Sequence, residues 1–282
     1  MDLTELKPNL WEQEAIPTEY TAFKVLRSNP ISTNAHYLAA PWSVLLNTRP
    51  GFFNNTQKTK VRNGFTICQH ISYAKIIPYL KRCGITILFT PHALKSPPDI
   101  RVLPFPHHAV NGTNPAIKNI LCSFMGCLIT HAVRKVIWDT RPDRADVKMV
   151  RRGAWHYEGA DRANHEAEYK NLLARSRFSL CPRGTGASTI RFWESLQAGA
   201  IPVLISDAMR LPEGWDWHQT IIRIPESNTA KWLKIVKGIA TDNEQTMRQN
   251  CIEAYKHFAG KNLVSNIRLF FREDIEDLPA VP

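Results

Sequence analysis

The chain has 282 residues, 44% of them hydrophobic and 22% charged, with a formal net charge of +11. That length and apolar content allow two modest cores and exclude a fibrous or wholly disordered chain. The basic residues are dispersed, and no zinc-finger, RNP or basic-zipper pattern accompanies them. We therefore set aside a nucleic-acid-binding role in favour of an electropositive cleft that collects an anionic small molecule.

Residues 1–40, interrupted by Pro8, Pro17 and Pro30, read as an arm without much regular structure. Trp42–Leu46 is a short apolar run, and the stretch from Asn47 to Asn55 is turn-rich. Gly64–Ile67 precedes a helix expected over Ser72–Cys83 and capped by Gly84. Ile85–Thr90 is the clearest strand of the first half. Arg101–Phe105 reads as a second strand, ending in Pro106-His107-His108. Alternating helix and strand suggests a small parallel sheet. Asn111-Gly-Thr-Asn-Pro115 concentrates turn residues just before the apolar strand Ile120–Met125, so the domain boundary is placed there. The expected organisation is a first domain over 1–115, a second over 116–262 and a returning helix and tail over 263–282.

The second half continues through Val136–Trp138, a polar stretch from Asp143 to Arg151, and a helix around His165–Ala174. Phe178–Cys181 is a strand stopped by Pro182, and Gly184 and Gly186 make a flexible loop that a ligand can approach closely. Ser188 or Thr189 is a natural N-cap for the helix Ile190–Ala198. Gly199 ends it, and Ile201–Ile205 is a second, parallel strand. Such a βαβ unit presents uncapped backbone N–H groups and a positive dipole end, a seat for a diphosphate, with Arg191 close behind. Glu194 lies three residues on, among apolar neighbours, so its carboxylate either pairs with Arg191 or faces ribose hydroxyls. Lys231–Ile239 and Thr246–Phe258 are helical by period, and Leu263–Phe271 is the candidate returning helix.

The run Phe178-x-Leu-Cys-Pro-x-Gly, then Ser188-Thr-x-Arg-x-Trp-Glu194, then Ala198-Gly-x-Ile-Pro-Val-Leu-Ile-Ser-Asp207 resembles the donor-binding signature of the exostosin-like glycosyltransferases. Cys122-Ser-Phe-Met-Gly-Cys-x3-His131-x2-Arg134 is similar to the opening of the same donor domain. The resemblance implies an α/β, GT-B-like fold, with two Rossmann-like domains facing a cleft and a C-terminal helix crossing back to the first. It also implies an inverting transfer from a UDP-sugar to a glycan acceptor hydroxyl. Ser188 and Thr189 would then meet the phosphates, Arg191 the diphosphate or sugar, and Glu194 the ribose. Small members without an anchor resemble those encoded by large algal DNA viruses, which implies UDP-xylose as donor; bacterial surface-polysaccharide enzymes share the anchor-free design. A binding module that has lost turnover is the alternative.

No Asp-x-Asp pair is present, so neither metal nor other cofactor is expected, and Arg191, with Arg134 or Arg183, would replace the cation. An inverting enzyme needs a base on the first domain. His92, His107 and His108 follow strands there, at carboxyl ends where open α/β sheets bind ligands, and His92 or His107 is preferred, with Asp99 and His70 as further candidates. Six cysteines, at 68, 83, 122, 127, 181 and 251, lack C-x-x-C spacing and read as reduced thiols. With no targeting signal at Met1–Pro8 and no run near the roughly 18 apolar residues of a spanning helix, a soluble, cytoplasmic protein is expected, with no membrane span. The sequons at Asn54 and Asn111 would then stay bare.

Overall fold

The computed structural model describes residues 10–11, 17–31, 35–54, 60–109, 116–153 and 160–276. These residues form two compact units. One takes the described residues up to His108, together with Arg210–Gly214 and those from His257 onward; the other takes Ala109–Met209 and Trp215–Lys256. The linker at Asn111–Pro115 lies outside the described residues. Among the described residues no helix is long and apolar enough to cross a membrane.

The first unit is a parallel sheet in the order β1 (His36–Tyr37), β2 (Gly64–Ile67), β3 (Ile85–Thr90), β4 (Arg101–Pro104). Successive side chains on a strand point to opposite faces. Phe65, Ile67, Ile87 and Phe89 accordingly pack with Ala22 and Leu26 of α1 (Pro17–Ser28) and with Ile267 and Phe271 of α9 (Ser265–Glu276). Leu88 joins a second cluster with Trp42 and Leu45 of α2 (Trp42–Thr48) and with Tyr79 and Leu80 of α3 (Ile77–Arg82). The Trp42 indole N–H donates to Thr66 Oγ1 at 2.7 Å, so the one polar side chain on that face of β2 is satisfied.

The expected structureless arm is therefore partly helical. In α1 the apolar face is carried by Ala22 and Leu26, one turn apart, and its first turn buries polar groups instead, which leaves little periodicity to read. The expected helix over Ser72–Cys83 is divided: a 3-10 turn over Tyr73–Ile76 gives way to α3, whose second residue, Pro78, suits a helix start and removes a donor from any longer helix. Gly84 follows with φ of +81°, a left-handed conformation that glycine takes at no steric cost.

The first turn of α1 ties three segments together. Gln69 Oε1 accepts from the backbone N–H groups of Thr18 (2.8 Å) and Glu19 (3.3 Å). The buried Glu19 carboxylate accepts from Ser43 Oγ (2.8 Å), Ser43 N (3.2 Å) and Gln69 N (2.9 Å), and Thr18 Oγ1 accepts from His108 N (2.9 Å). The start of α2 and the loops after β2 and β4 thus converge on one helix end.

The second unit is a five-stranded parallel sheet in the order β6-β5-β7-β8-β9. The strands are β5 (Ile120–Gly126), β6 (Val147–Arg151), β7 (Ser176–Pro182), β8 (Ile201–Ile205) and β9 (Ile222–Arg223). Strand β6 hid in the stretch read as polar. It pairs only with β5, and an edge strand exposed at Lys148 and Arg151 does not need an apolar run. Helices α4 (Ala132–Asp139), α5 (Ala160–Arg175), α6 (Ile190–Gln197), α7 (Trp232–Lys237) and α8 (Thr241–Phe258) connect or cover the strands. Both α5 and α8 begin five residues earlier than their periodicity indicated, in polar first turns. The chain runs from β5 to β6 on one side and returns to β7 on the other, so the ends of β5 and β7 form a topological switch point, the place where open parallel sheets bind ligands.

Burial raises the Glu19 carboxyl to about 7, against the lowering effect of its hydrogen bonds. A native group that holds its proton above its unfolded value loses stability as pH rises between the two values, here from about 4.5 to about 7. His92 has the opposite sign: burial lowers it to about 4, so its contribution is present above about 6.5 and is lost on acidification toward 4. Replacing Glu19 with Gln should therefore leave the histidine slope and remove the decline between pH 4.5 and 7. Chemical denaturation across that range, with wild type and Glu19→Gln compared point by point, checks this. Parallel curves would refute it.

Candidate active site

The switch point carries a cleft of about 250 Å³. Gly126 at the end of β5, Arg134 of α4, Tyr169 of α5, and Thr189, Arg191 and Glu194 at the start of α6 are among the residues that line it. Local sequence puts them there. Pro182 closes β7, the loop through Gly184 and Gly186 turns, and Thr189 takes the N-cap position of α6 in an extended conformation (φ −138°, ψ 131°). Its hydroxyl makes no capping hydrogen bond, so the first-turn N–H groups of α6 are not satisfied by their cap residue. Gly199, at φ of +60°, ends the helix region as its sequence position indicated.

Arg191 is buried, 9% exposed, under this helix start. Its guanidinium lies 4.8 Å from the Phe124 ring centroid and 5.8 Å from that of Tyr169, and one terminal N–H group donates to the Met125 carbonyl. A Cβ on Gly126 would lie 3.0 Å from that Arg191 nitrogen, a tight contact that glycine avoids. Arg191 Nε and Nη1 are buried with no hydrogen-bond partner among the described residues. Arg191 lines the cleft, and a buried guanidinium with donors left over has the chemistry to take an anion. Glu194, 8% exposed, accepts a 2.6 Å hydrogen bond from Tyr169 Oη. Burial, and then the Glu194 charge, push the Tyr169 phenol well above its ordinary value, so it remains the proton donor of that bond.

Arg134 is arranged differently. Its Nε, Nη1 and Nη2 donate to the carbonyls of Arg183 (2.8 Å), Cys127 (3.0 Å) and Pro182 (3.4 Å). A Cβ on Gly184 would sit 3.1 Å from Arg134 Nη2, which gives this glycine a packing role rather than a positive φ. Burial and the nearby Arg191 charge lower the Arg134 guanidinium to about 10. Arg183 does not line the cleft; its Nη1 reaches Glu226 at 3.5 Å. Ser188 is buried and Gly186 half-buried in the loop, and neither is among the lining residues.

Sequence reading missed the wall that α5 supplies. Arg162, His165, Glu166 and Tyr169 all line the cleft, at i, i+3, i+4 and i+7, and that spacing on one helix face was the available signal. Arg152, just after β6, also lines it and bonds His165 Nδ1 and Glu168 Oε2, each at 2.5 Å.

In the first unit, His92 (7% exposed) and His107 stand with ring centroids 5.3 Å apart, edge to face. Burial lowers both, His107 well below its ordinary value. His108 is also lowered by burial, and its Nδ1 is buried without a hydrogen-bond partner among the described residues. His70 follows β2, with its Nε2 3.0 Å from Asn47 Oδ1. Asp99 must be corrected: it precedes β4, at the opposite edge of the parallel sheet from the histidines, and its exposed carboxylate meets Lys81 at 3.4 Å. Among the described residues no three His, Cys, Asp or Glu side chains are grouped to hold a metal.

Two parallel α/β units, one with a ligand cleft at its switch point, define the GT-B class of fold. The crystal structure of HepE from Anabaena in complex with UDP-glucose superposes with a TM-score of 0.50 at 10% identity, over 92% of this chain and 82% of that one. The chain belongs to the exostosin GT47 domain family, which it matches over residues 85–239, just over half its length. Exostosin-1 of Drosophila melanogaster is 31% identical over 183 residues, 59% of this chain and 24% of that protein. The probable glucuronoxylan glucuronosyltransferase IRX7 of Arabidopsis thaliana is 32% identical over 110 residues, 36% of this chain and 25% of that protein. These alignments span about a quarter of each relative's length.

The two arginines should respond oppositely to truncation. Arg134→Met leaves three carbonyls without their donor, and each buried unsatisfied group costs about 1–3 kcal/mol, so the melting temperature should fall by several degrees. Arg191→Met removes a buried cation with two unused donors, should cost much less, and should abolish any rise in melting temperature on adding UDP. Thermal melts with and without UDP check both outcomes.

Proposed function

We propose that the chain is an inverting glycosyltransferase that moves a sugar from a UDP-sugar to a glycan hydroxyl without a metal cofactor. One observation carries the reading: a buried Arg191 with two nitrogens unpartnered among the described residues, at a helix start whose cap residue does not cap it, in a cleft shared with Glu194. In this proposal Arg191 and the first-turn N–H groups of α6 take the diphosphate, and they stabilise the negative charge that grows on the leaving nucleotide. Glu194 accepts hydrogen bonds from the ribose. Thr189 lies beside the phosphates with Ser188 buried behind it, and Arg134 acts mainly by holding the loop of Gly184 and Arg183 in place. The donor sugar is the finer part of the proposal. UDP-xylose is the first choice, from the sequence resemblance, and the name of the Arabidopsis relative makes UDP-glucuronate its first competitor.

The experiment is a screen of UDP-sugars for hydrolysis and transfer, with and without exhaustive chelation. Turnover of UDP-xylose that survives chelation is the expected result. Activity lost with chelator and restored by manganese would overturn the metal-independent part; turnover only of another sugar would overturn the xylose part. No nucleotide binding at all would overturn the whole.

The base in this proposal is His92 or His107, at the carboxyl ends of β3 and β4. Burial keeps both neutral at ordinary pH, the form that accepts a proton from a hydroxyl. Replacing the base should lower transfer by roughly 10² to 10⁴ with UDP affinity unchanged. If His92 is the base, the acid limb of transfer should lie near pH 4 rather than 6.5, because activity falls as the imidazole gains its proton. Transfer assays and pH profiles of His92→Gln and His107→Gln check this, and near-normal transfer in both would refute it.

A further inference from the structure

We infer that Tyr169 is the positioning residue of the nucleotide site: it holds the Glu194 carboxylate and the Arg191 guanidinium in separate roles, so that each meets the ligand instead of the other. The inference rests on the reading of Glu194 at the ribose and Arg191 at the diphosphate. Arg and Glu three residues apart on one helix are neighbours, and their natural tendency is to pair. A direct pair would cancel the positive site for phosphate and occupy the acceptor for ribose together. The structure avoids this through α5. The Tyr169 hydroxyl, a neutral donor, holds Glu194 Oε2 at 2.6 Å. The same side chain turns its ring toward the Arg191 guanidinium, with the centroid 5.8 Å away, and the Phe124 ring lies at 4.8 Å. The Met125 carbonyl fixes one end of Arg191, and Nε and Nη1 stay unpartnered among the described residues. One tyrosine thus touches both groups, through its hydroxyl on one and its ring on the other, from a helix that Arg152 ties to the end of β6 through His165 and Glu168.

Because the hydroxyl and the ring act on different ligand groups, two substitutions separate them. Tyr169→Phe keeps the ring and removes the hydroxyl; Tyr169→Leu removes both. Dissociation constants would be measured for UDP, 2′,3′-dideoxy-UDP and inorganic pyrophosphate with the whole chain, whose folding is checked by circular dichroism. Wild type should bind UDP more tightly than the dideoxy analogue by roughly tenfold to a hundredfold, the range for hydrogen bonds to a charged group. Tyr169→Phe should lose most of that discrimination while binding pyrophosphate and dideoxy-UDP as wild type does. Tyr169→Leu should also weaken pyrophosphate several-fold. Retained discrimination in Tyr169→Phe, or equal weakening of all three ligands, would overturn the inference. Absence of discrimination in wild type would instead overturn the ribose reading of Glu194 beneath it.

Discussion

The second unit depends on one constraint: a guanidinium taken out of water with two nitrogens unpartnered among the described residues. Burying a charge without full pairing is costly, and a fold keeps such a group only where surrounding contacts hold it. For Arg191 these contacts are the Met125 carbonyl, the faces of Phe124 and Tyr169, and the missing side chain of Gly126. Each comes from a different part of the βαβ arrangement: β5 supplies Phe124, Met125 and Gly126, α5 supplies Tyr169, and α6 supplies the arginine itself. The strand order places the ends of β5 and β7 side by side, and without that switch point the three parts would not meet.

Arg134 shows what the same residue type does when each of its three nitrogens donates a hydrogen bond. It bonds three carbonyls and packs against Gly184, so its charge is committed to holding the loop that leads into α6. The two guanidiniums repel, which is part of why Arg134 is lowered. That repulsion is tolerable because the carbonyl dipoles surround one of them, and an anion in the cleft would relieve it further. Two neighbouring cations at one cleft give it a positive potential, which under the proposed function a diphosphate would use.

Much of this was legible from sequence because Gly199, Pro182 and the apolar runs Phe178–Cys181 and Ile201–Ile205 each have a local meaning, and they occur in an order that only a βαβ unit satisfies. The helix start, Arg191 and Glu194 followed from that order. The α5 wall did not, since Tyr169 and His165 lie on a helix of low amphipathicity whose polar face has no meaning until the switch point brings it beside β5. Strand β6 and helix α1 were missed for a related reason: an edge strand and a helix whose first turn buries polar groups carry little periodic apolar signal. Asp99 was named on residue type alone, and the start of β4 at Arg101 puts it before the strand. Once the sheet is parallel, a residue before the strand and a residue after it lie at opposite edges.

The two units handle their ionisable groups in opposite ways, and the contrast bears on the proposed chemistry. At the strand ends of the first unit, burial leaves His92 and His107 neutral and raises Glu19 to about 7, so desolvation suppresses charge there. At the switch point of the second, the Met125 carbonyl and the Phe124 and Tyr169 rings hold the Arg191 guanidinium beside the cleft. A displacement that builds negative charge on a leaving nucleotide needs fixed positive charge at that end and an uncharged proton acceptor at the hydroxyl that attacks. A charged imidazole could not take the proton, and a neutral partner at the diphosphate could not stabilise the departing oxygen. Under the proposed transfer, the first unit supplies neutral imidazoles at the attacking hydroxyl and the second supplies the guanidinium at the diphosphate. The loop after β4, which carries His107 and His108, is in turn tied to α1 by the His108 N–H on Thr18 Oγ1, and the loop after β2 by Gln69.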